Sequence, residues 1–258
     1  MKLIVLGSGT TVPHPKRSSS AYWLEASGGT LLLDCSATAL RRILEEGLDW
    51  TRLDAIWISH FHLDHVGGLA PLLAGIKHSE EMKKRTKTLK IFGPPGIKRL
   101  IDGFNDVNNY KLLEQPFPLE IIEIESLERF EIVKGLEAVA MSTPHTEESH
   151  AIHLRDSDDS TLVYTADTGF TETLASFAGQ AGLLVIESSY PKDKSKAKHM
   201  ELAEAMFIIR KAKPKRAVLT HLYPFWDDVN FEKEVAEYSP PCEVLQAFDG
   251  LRIDIVSR

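Results

Sequence analysis

With 258 residues, the chain has the length for one large domain or two small ones, and ample material for a buried core. Charged residues at 26% and apolar residues at 43% are ordinary for a soluble globular protein. A formal net charge of −7 argues against an extended phosphate-tracking surface, without barring a local basic patch from meeting a nucleic acid.

Lys2–Leu6 reads as a first strand that stops at Gly7-Ser8-Gly9, too short an apolar core for a signal peptide. Ala21–Ala26 is a second strand, turned by Gly28-Gly29 into Thr30–Asp34. Ala37–Glu46 reads as a helix ended by Gly47, with Leu40, Ile43 and Leu44 on one face. Asp54–Ser59 is a buried strand, Leu69–Ile76 a helix, and Ser79–Lys90 a charged surface connection. Ile91–Gly93 is a short strand, punctuated by Pro94-Pro95-Gly96 before a helix over Ile97–Val107. Strands follow at Leu119–Ile124, Glu128–Val133 and Leu136–Met141. A hairpin comes next, with His150–Leu154 and Thr161–Thr165 turning at Asp156–Asp159. The tail alternates helix Thr171–Phe177, strand Leu183–Glu187, helix Met200–Ala212, strand Arg216–Leu219 and helix Phe231–Tyr238, with final strands near Val244 and Leu251–Ile255.

No repeat, low-complexity tract or linker divides this pattern. It predicts an α/β (α+β) fold in one domain over 1–258, with two sheets facing each other and helices outside. Cys35 and Cys242 are too few for a disulfide framework and read as buried free thiols of a reducing cytoplasm. No segment is long enough to span a membrane, so the expected location is cytoplasmic.

Four apolar runs end on metal-ligand side chains. Asp54–Ser59 leads to the cluster His60-Phe61-His62-Leu63-Asp64-His65, Leu136–Pro144 to His145, Ser160–Ala166 to Asp167, and Arg216–Thr220 to His221. Donors at strand ends converge on one edge of a sheet, where rigid elements fix geometry and loops leave a mouth. Side chains two apart in an extended segment point the same way, so His60 and His62 can grip one ion. Asp64 and His65 then face a second ion, and Asp167 has oxygens enough to bridge. Five imidazoles and two carboxylates exceed one closed tetrahedral site, which predicts a two-metal hydrolytic centre. The donor set suits two zinc ions, with manganese or iron also compatible.

These segments resemble the metallo-β-lactamase superfamily. Its H-x-H-x-D-H signature stands at His60–His65, and its later motifs at Thr143-Pro144-His145-Thr146, Tyr164-Thr165-Ala166-Asp167-Thr168 and Thr220-His221-Leu222. The likeness runs from Gly7-Ser8-Gly9-Thr10 through Leu32-Leu33-Asp34-Cys35 to His221. It implies a four-layer αββα sandwich in which His60, His62 and His145 hold one zinc ion, Asp64, His65 and His221 the other, and Asp167 bridges. Within the superfamily the chain is similar to the ribonuclease Z-like phosphodiesterase branch. There, Asp167 stands where true β-lactamases have Cys. Glu187 matches a glutamate that orients a proton-donating histidine, matched by His199 at the start of a helix His199–Ala212. The resemblance also implies a homodimer in which arm-less relatives place residues of a second subunit near the mouth.

Three departures bear on substrate. One hairpin fills the stretch between His145 and Asp167, where familiar ribonuclease Z proteins carry a long tRNA-gripping arm. The loop Pro13–Ser20 and the segment Glu187-Ser188-Ser189-Tyr190 match the family only in part. Lys16 and Arg17 are candidates for holding a phosphate, and Tyr223, Phe225 and Trp226 for stacking a base or packing a lid. The expected function is a zinc-dependent phosphodiesterase acting on a small or single-stranded phosphodiester. A metal-bridging hydroxide attacks, Asp64 orients it or takes its proton, and His199 with Glu187 protonates the leaving group. The alternatives are a tRNA 3′-end processing endonuclease that binds an RNA 3′ region, and an ester, lactone or sulfate hydrolase on the same metals. A non-catalytic metal-binding scaffold is the reading from another class.

Overall fold

The computed structural model describes residues 1–256. In the first sheet, β1 (Lys2–Gly7), β2 (Ala21–Ala26), β3 (Gly29–Leu33), β4 (Leu53–Trp57), β5 (Leu89–Gly93) and β6 (Leu119–Glu123) lie side by side in chain order. The second sheet is built the same way from β7 (Arg129–Val133), β8 (Leu136–Ser142), β9 (His150–Arg155), β10 (Thr161–Tyr164), β11 (Leu183–Glu187), β12 (Arg216–Thr220) and β13 (Glu243–Gln246). The last strand, β14 (Arg252–Asp254), returns to the first sheet and pairs antiparallel with β1, setting Leu3 opposite Ile253.

Each sheet starts as an antiparallel meander and continues in parallel, over β3 to β6 in the first and β10 to β13 in the second. Parallel neighbours need crossovers, and the crossovers put helices on the outer faces. In the first half these are α1 (Ala39–Glu45), α2 (Leu63–Val66), α3 (Leu69–His78) and α4 (Ile97–Asp106); in the second, α5 (Thr173–Phe177), α6 (Leu202–Ala212) and α7 (Phe231–Glu237). The result is the αββα sandwich expected from the sequence.

Why the strands are so apolar follows from this layering. Leu3 and Val5 of β1 enter the core between the sheets, while Ile4 and Leu6 enter the core under α1, α3 and α4. β11 repeats the arrangement, with Leu183 and Val185 inward and Leu184 and Ile186 against α6. A strand covered on both faces reads as a continuous apolar run. A slip of one residue would exchange its two faces, so packing pins the register.

One helix face and two boundaries differ from expectation for local reasons. Leu44 is 57% exposed, because Ala39 and Ile43, four apart, face the sheet, and the next position is turned about 100° away. Leu89 and Lys90 belong to β5 rather than to the charged connection. Helix α6 starts at Leu202, where Glu201 and Glu204 form a reciprocal capping box, so His199 lies in the preceding loop and not on the helix. No described helix is long and apolar enough to cross a membrane.

Since Leu24 is fully buried between the sheets, Leu24→Ala is expected to lower the unfolding free energy by about 2–5 kcal/mol. A urea titration monitored by tryptophan fluorescence reads the change.

Candidate metal centre

All the parallel strands deliver their carboxyl ends to one edge, the usual place for a site in such sheets. Asp34 follows β3, His60 follows β4, Asp167 follows β10, Glu187 ends β11 and His221 follows β12. Among the described residues, three overlapping groups of donors gather there. The third joins Glu187 and His199 to Asp167 and His221, and the expected ligands make up the other two, His60, His62, His145 and Asp167 in one, and Asp64, His65, Asp167 and His221 in the other. The ligating atoms of each group lie within 4.8 Å of one another, and Asp167 is common to all three. All seven residues expected as metal ligands are therefore brought together.

The distances have the scale of cation coordination. His65 Nε2 and His221 Nε2 each lie 3.2 Å from an Asp167 oxygen, with His145 Nε2 at 3.7 Å and His60 Nε2 at 3.8 Å. Asp64 Oδ2 is 3.5 Å from His221 Nε2 and 3.8 Å from His65 Nε2. His145 Nε2 and His62 Nδ1 are 3.0 Å apart. Two nitrogens on one tetrahedral zinc ion sit about 3.3 Å apart, given bonds of about 2.0–2.1 Å.

Whether cations fit is decided by what the donors lack. His60 Nε2, His65 Nε2, His221 Nε2 and Asp167 Oδ1 are buried, and none has a hydrogen-bond partner among the described residues. Each such atom costs about 1–3 kcal/mol unless something meets it. The opposite nitrogens are all satisfied. His65 Nδ1 lies 2.7 Å from Asp34 Oδ2, His145 Nδ1 donates to Lys198 O at 2.9 Å, His221 Nδ1 lies 3.0 Å from Ser189 Oγ, and His60 Nδ1 lies 3.0 Å from Ser59 Oγ. A protonated outer nitrogen leaves the inner one with a lone pair aimed at the centre.

Electrostatics agree. Burial would raise the Asp167 carboxyl, yet the charges of His221 and His65 hold it well below the usual range. Burial would likewise raise Asp64, but the nearby His221 imidazole and the charge of His65 lower it. Burial first, then the neighbouring His65, drives His60 well below its ordinary value, and burial takes His145 down to about 4. His65 is the exception: burial opposes its charge, but Asp167 and Asp34 push it well up. Anions that hold a proton this firmly are the ones a divalent cation would neutralise in its place.

Beside this centre, His199 Nδ1 is 2.6 Å from Glu187 Oε1, inside a fully buried carboxylate that also accepts from Met200 N and Thr168 N. The ring stacks on His221 at 5.3 Å and lies 4.8 Å from His145. Burial would lower His199, but the hydrogen bond and charge of Glu187 raise it above its ordinary value. Its Nε2 has no protein hydrogen bond among the described residues and is not sealed from solvent.

Asp34 is a residue the sequence reading gave no role. It accepts from Ser59 N, Ser59 Oγ and Tyr164 Oη at 2.8, 2.9 and 2.7 Å while holding His65. The signal was present, since Asp34 also ends an apolar strand. The orienting hydroxyl of Ser189 had no such signal. Arg17 is occupied elsewhere: it pairs with Asp227 at 2.8 Å, beside His14 at 2.7 Å from the same carboxylate. That clasp ties the loop Pro13–Ser20 to the turn after Tyr223, so Arg17 does not face the mouth as a free phosphate ligand. Trp226 is buried and donates to Ser188 O at 2.8 Å, which makes it packing, whereas Phe225 is 56% exposed.

Fold and donor set together define a metallo-β-lactamase-fold hydrolase of the ribonuclease Z-like branch, and the relatives agree. Ribonuclease Z of Clostridium perfringens is 26% identical over 93% of this chain and 95% of its own length. The probable metallo-hydrolase YhfI of Bacillus subtilis is 27% identical over 91% of this chain and 92% of its own. The crystal structure of YhfI superposes with a TM-score of 0.79 at 23% identity, covering 98% of this chain and 99% of the other. That of human tRNase Z, short form, gives 0.77 at 21% identity over 99% of both chains. The chain belongs to the family described as Anti-Pycsar protein Apyc1, whose model matches residues 1–237.

Asp34→Asn keeps the shape of the side chain but removes the charge that orients His65. Affinity for a divalent cation is expected to fall about 10- to 100-fold, read by competition against a chromophoric chelator.

Proposed function

We propose that the chain is a dinuclear metal-dependent phosphodiesterase acting on a small or single-stranded phosphodiester. The observation that carries this is Asp167, a buried carboxylate shared by two four-residue donor groups, in which Asp167 Oδ1 and the Nε2 atoms of His60, His65 and His221 lack hydrogen-bond partners among the described residues. His60, His62 and His145 would hold one cation, Asp64, His65 and His221 the other, and Asp167 both. Imidazole-rich donors with carboxylates suit zinc, and manganese or iron remain compatible. A bound pair of such cations supplies Lewis acidity and a water that ionises near neutral pH.

The chain's own groups do the rest. Asp64, held ionised, orients the attacking water and accepts its proton at Oδ2. As the bond from phosphorus to the leaving oxygen breaks, His199 delivers its Nε2 proton to that oxygen. Glu187 fixes the ring through Nδ1 and favours its protonated form. The water proton thus passes to Asp64, and the alkoxide departs as an alcohol.

Substrate size is supported by the hairpin of β9 and β10, which fills the stretch between His145 and Asp167 and leaves no long arm for gripping tRNA. The name of the Clostridium perfringens relative keeps a single-stranded RNA 3′ region within the substrate class. One cooperative domain is supported by the core that both sheets share. A reducing cytoplasm is supported by two unpaired cysteines, Cys35 being buried.

Zinc- or manganese-loaded protein is expected to hydrolyse bis(p-nitrophenyl) phosphate, with His62→Ala at background; equal rates for the two would sink the reading. His199→Ala is expected to slow a dinucleoside phosphate, whose leaving alkoxide is poor, by about 10²–10⁴-fold, and the activated ester much less. The acid must be protonated, so kcat falls as pH rises through the elevated His199 value. Glu187→Gln removes the charge that elevates it and should move this alkaline limb to lower pH, as a pH–rate profile would show.

A further inference from the structure

Tyr223 stands at the mouth, two residues beyond His221. Its backbone N–H donates to Ser189 O at 3.2 Å, on the same segment that orients His221. The side-chain ring lies nearly perpendicular to the stacked imidazoles, with centroids 6.1 Å from both His199 and His221 and interplanar angles of 73° and 76°. Tyr190 stacks against it at 5.1 Å and 12°, and Phe225 stacks on Tyr190 at 5.7 Å. Lys196 Nζ is 5.8 Å from the Tyr223 ring centroid. A ring held by that many neighbours, and only 7% exposed, has little freedom to reorient.

Among the four buried tyrosines of the described residues, its hydroxyl is the odd one out. Tyr22, Tyr164 and Tyr190 bond theirs to Thr220, Asp34 and Ser195. Among the described residues, no protein group meets the Tyr223 hydroxyl, which is also not walled off from solvent. A phenol is a donor that adds no charge to a site already rich in ionised groups. A donor fixed beforehand by packing contributes most where charge gathers on a reacting oxygen.

We propose that Tyr223 touches the substrate, donating a hydrogen bond from its hydroxyl to a non-bridging oxygen of the scissile phosphodiester, on the His199 side of the centre. The assignment rests on the phosphodiesterase reading and adds to it a group outside the metal ligands and the His199–Glu187 pair. Lys196, a cation beside the same ring, draws the same anion to that side.

Tyr223→Phe removes the hydroxyl and leaves the ring stack. Two measurements on zinc-loaded protein test it: kcat/KM for bis(p-nitrophenyl) phosphate, and the affinity for inorganic phosphate by titration calorimetry. Zinc content and thermal midpoint are followed in parallel. The expected result is a loss of about tenfold to a hundredfold in kcat/KM, the scale of a hydrogen bond to a charged group, with weaker phosphate binding and unchanged zinc and midpoint. A loss in either measurement at unchanged zinc supports the contact. Values within about twofold of wild type in both overturn it, as does a loss that tracks departing zinc or a lowered midpoint, because the ring would then be structural. If the wild type turns over no diester, the phosphodiesterase reading fails by itself and phosphate affinity decides for Tyr223. Equal affinities, or no binding by either protein, overturn the contact.

Discussion

Asp167 is a buried carboxylate with four imidazole nitrogens 3.2 to 3.8 Å away and no lysine or arginine paired with it among the described residues. A charge in that position is tolerated only when something of opposite sign comes close, and the imidazoles can provide that only by keeping protons that ligands must give up. The arrangement is therefore most stable around cations. The surrounding strands each contribute one end to that point, and the outer hydrogen bonds of His65, His145 and His221 turn their lone pairs toward it.

Backbone conformation shows the same convergence. Asp34, Ala166 and His221 all adopt left-handed φ values, of 57°, 52° and 58°. The conformation costs residues such as Ala166 and His221 about 1–3 kcal/mol, less for an aspartate such as Asp34, and persists only where packing over-determines it. All three sit where a parallel strand ends and the chain must swing a side chain into the site. Gly169 answers a related demand: a Cβ there would lie 2.6 Å from Ala197 O and 3.1 Å from Pro144 O. The loops that carry His145, Asp167 and His199 touch backbone to backbone at that point, which admits no side chain.

The Asp167-centred donor groups and the His199–Glu187 pair, the proposed proton donor, share a wall. His199 stacks on His221 and packs beside His145, so a histidine from each donor group touches it directly. Glu187 is fully buried and its second oxygen is taken by Met200 N, so the pair is rigid rather than solvated. Opposite, the clasp of His14 and Arg17 on Asp227 steadies the loop at the entrance. Burial makes the Glu187–His199 contact stronger than a surface pair of the same length, whereas Asp227 is half exposed and its clasp is correspondingly weaker.

Much of this was legible in the amino-acid order. Continuous apolar runs marked strands covered on both faces, and the side chains that ended them marked the edge where ligands meet. Four runs ending on His60, His145, Asp167 and His221 were enough to predict where the donors gather, and likeness of motif pointed to Glu187 and His199. Other features depended on contacts between distant segments, which local pattern does not encode. The role of Asp34 depends on Ser59, His65 and Tyr164, from three separate segments, converging on it. His199 seemed to open a helix because its sequence neighbours are helical, but Glu187 holds Met200 N and the capping box delays the helix to Leu202. Arg17 read as a phosphate ligand until Asp227, from the far end of the chain, proved to occupy it. Residue type and periodicity determined which chemistry was present. Packing decided which partner each group would spend its hydrogen bonds and charge on, because that choice is made by proximity in space.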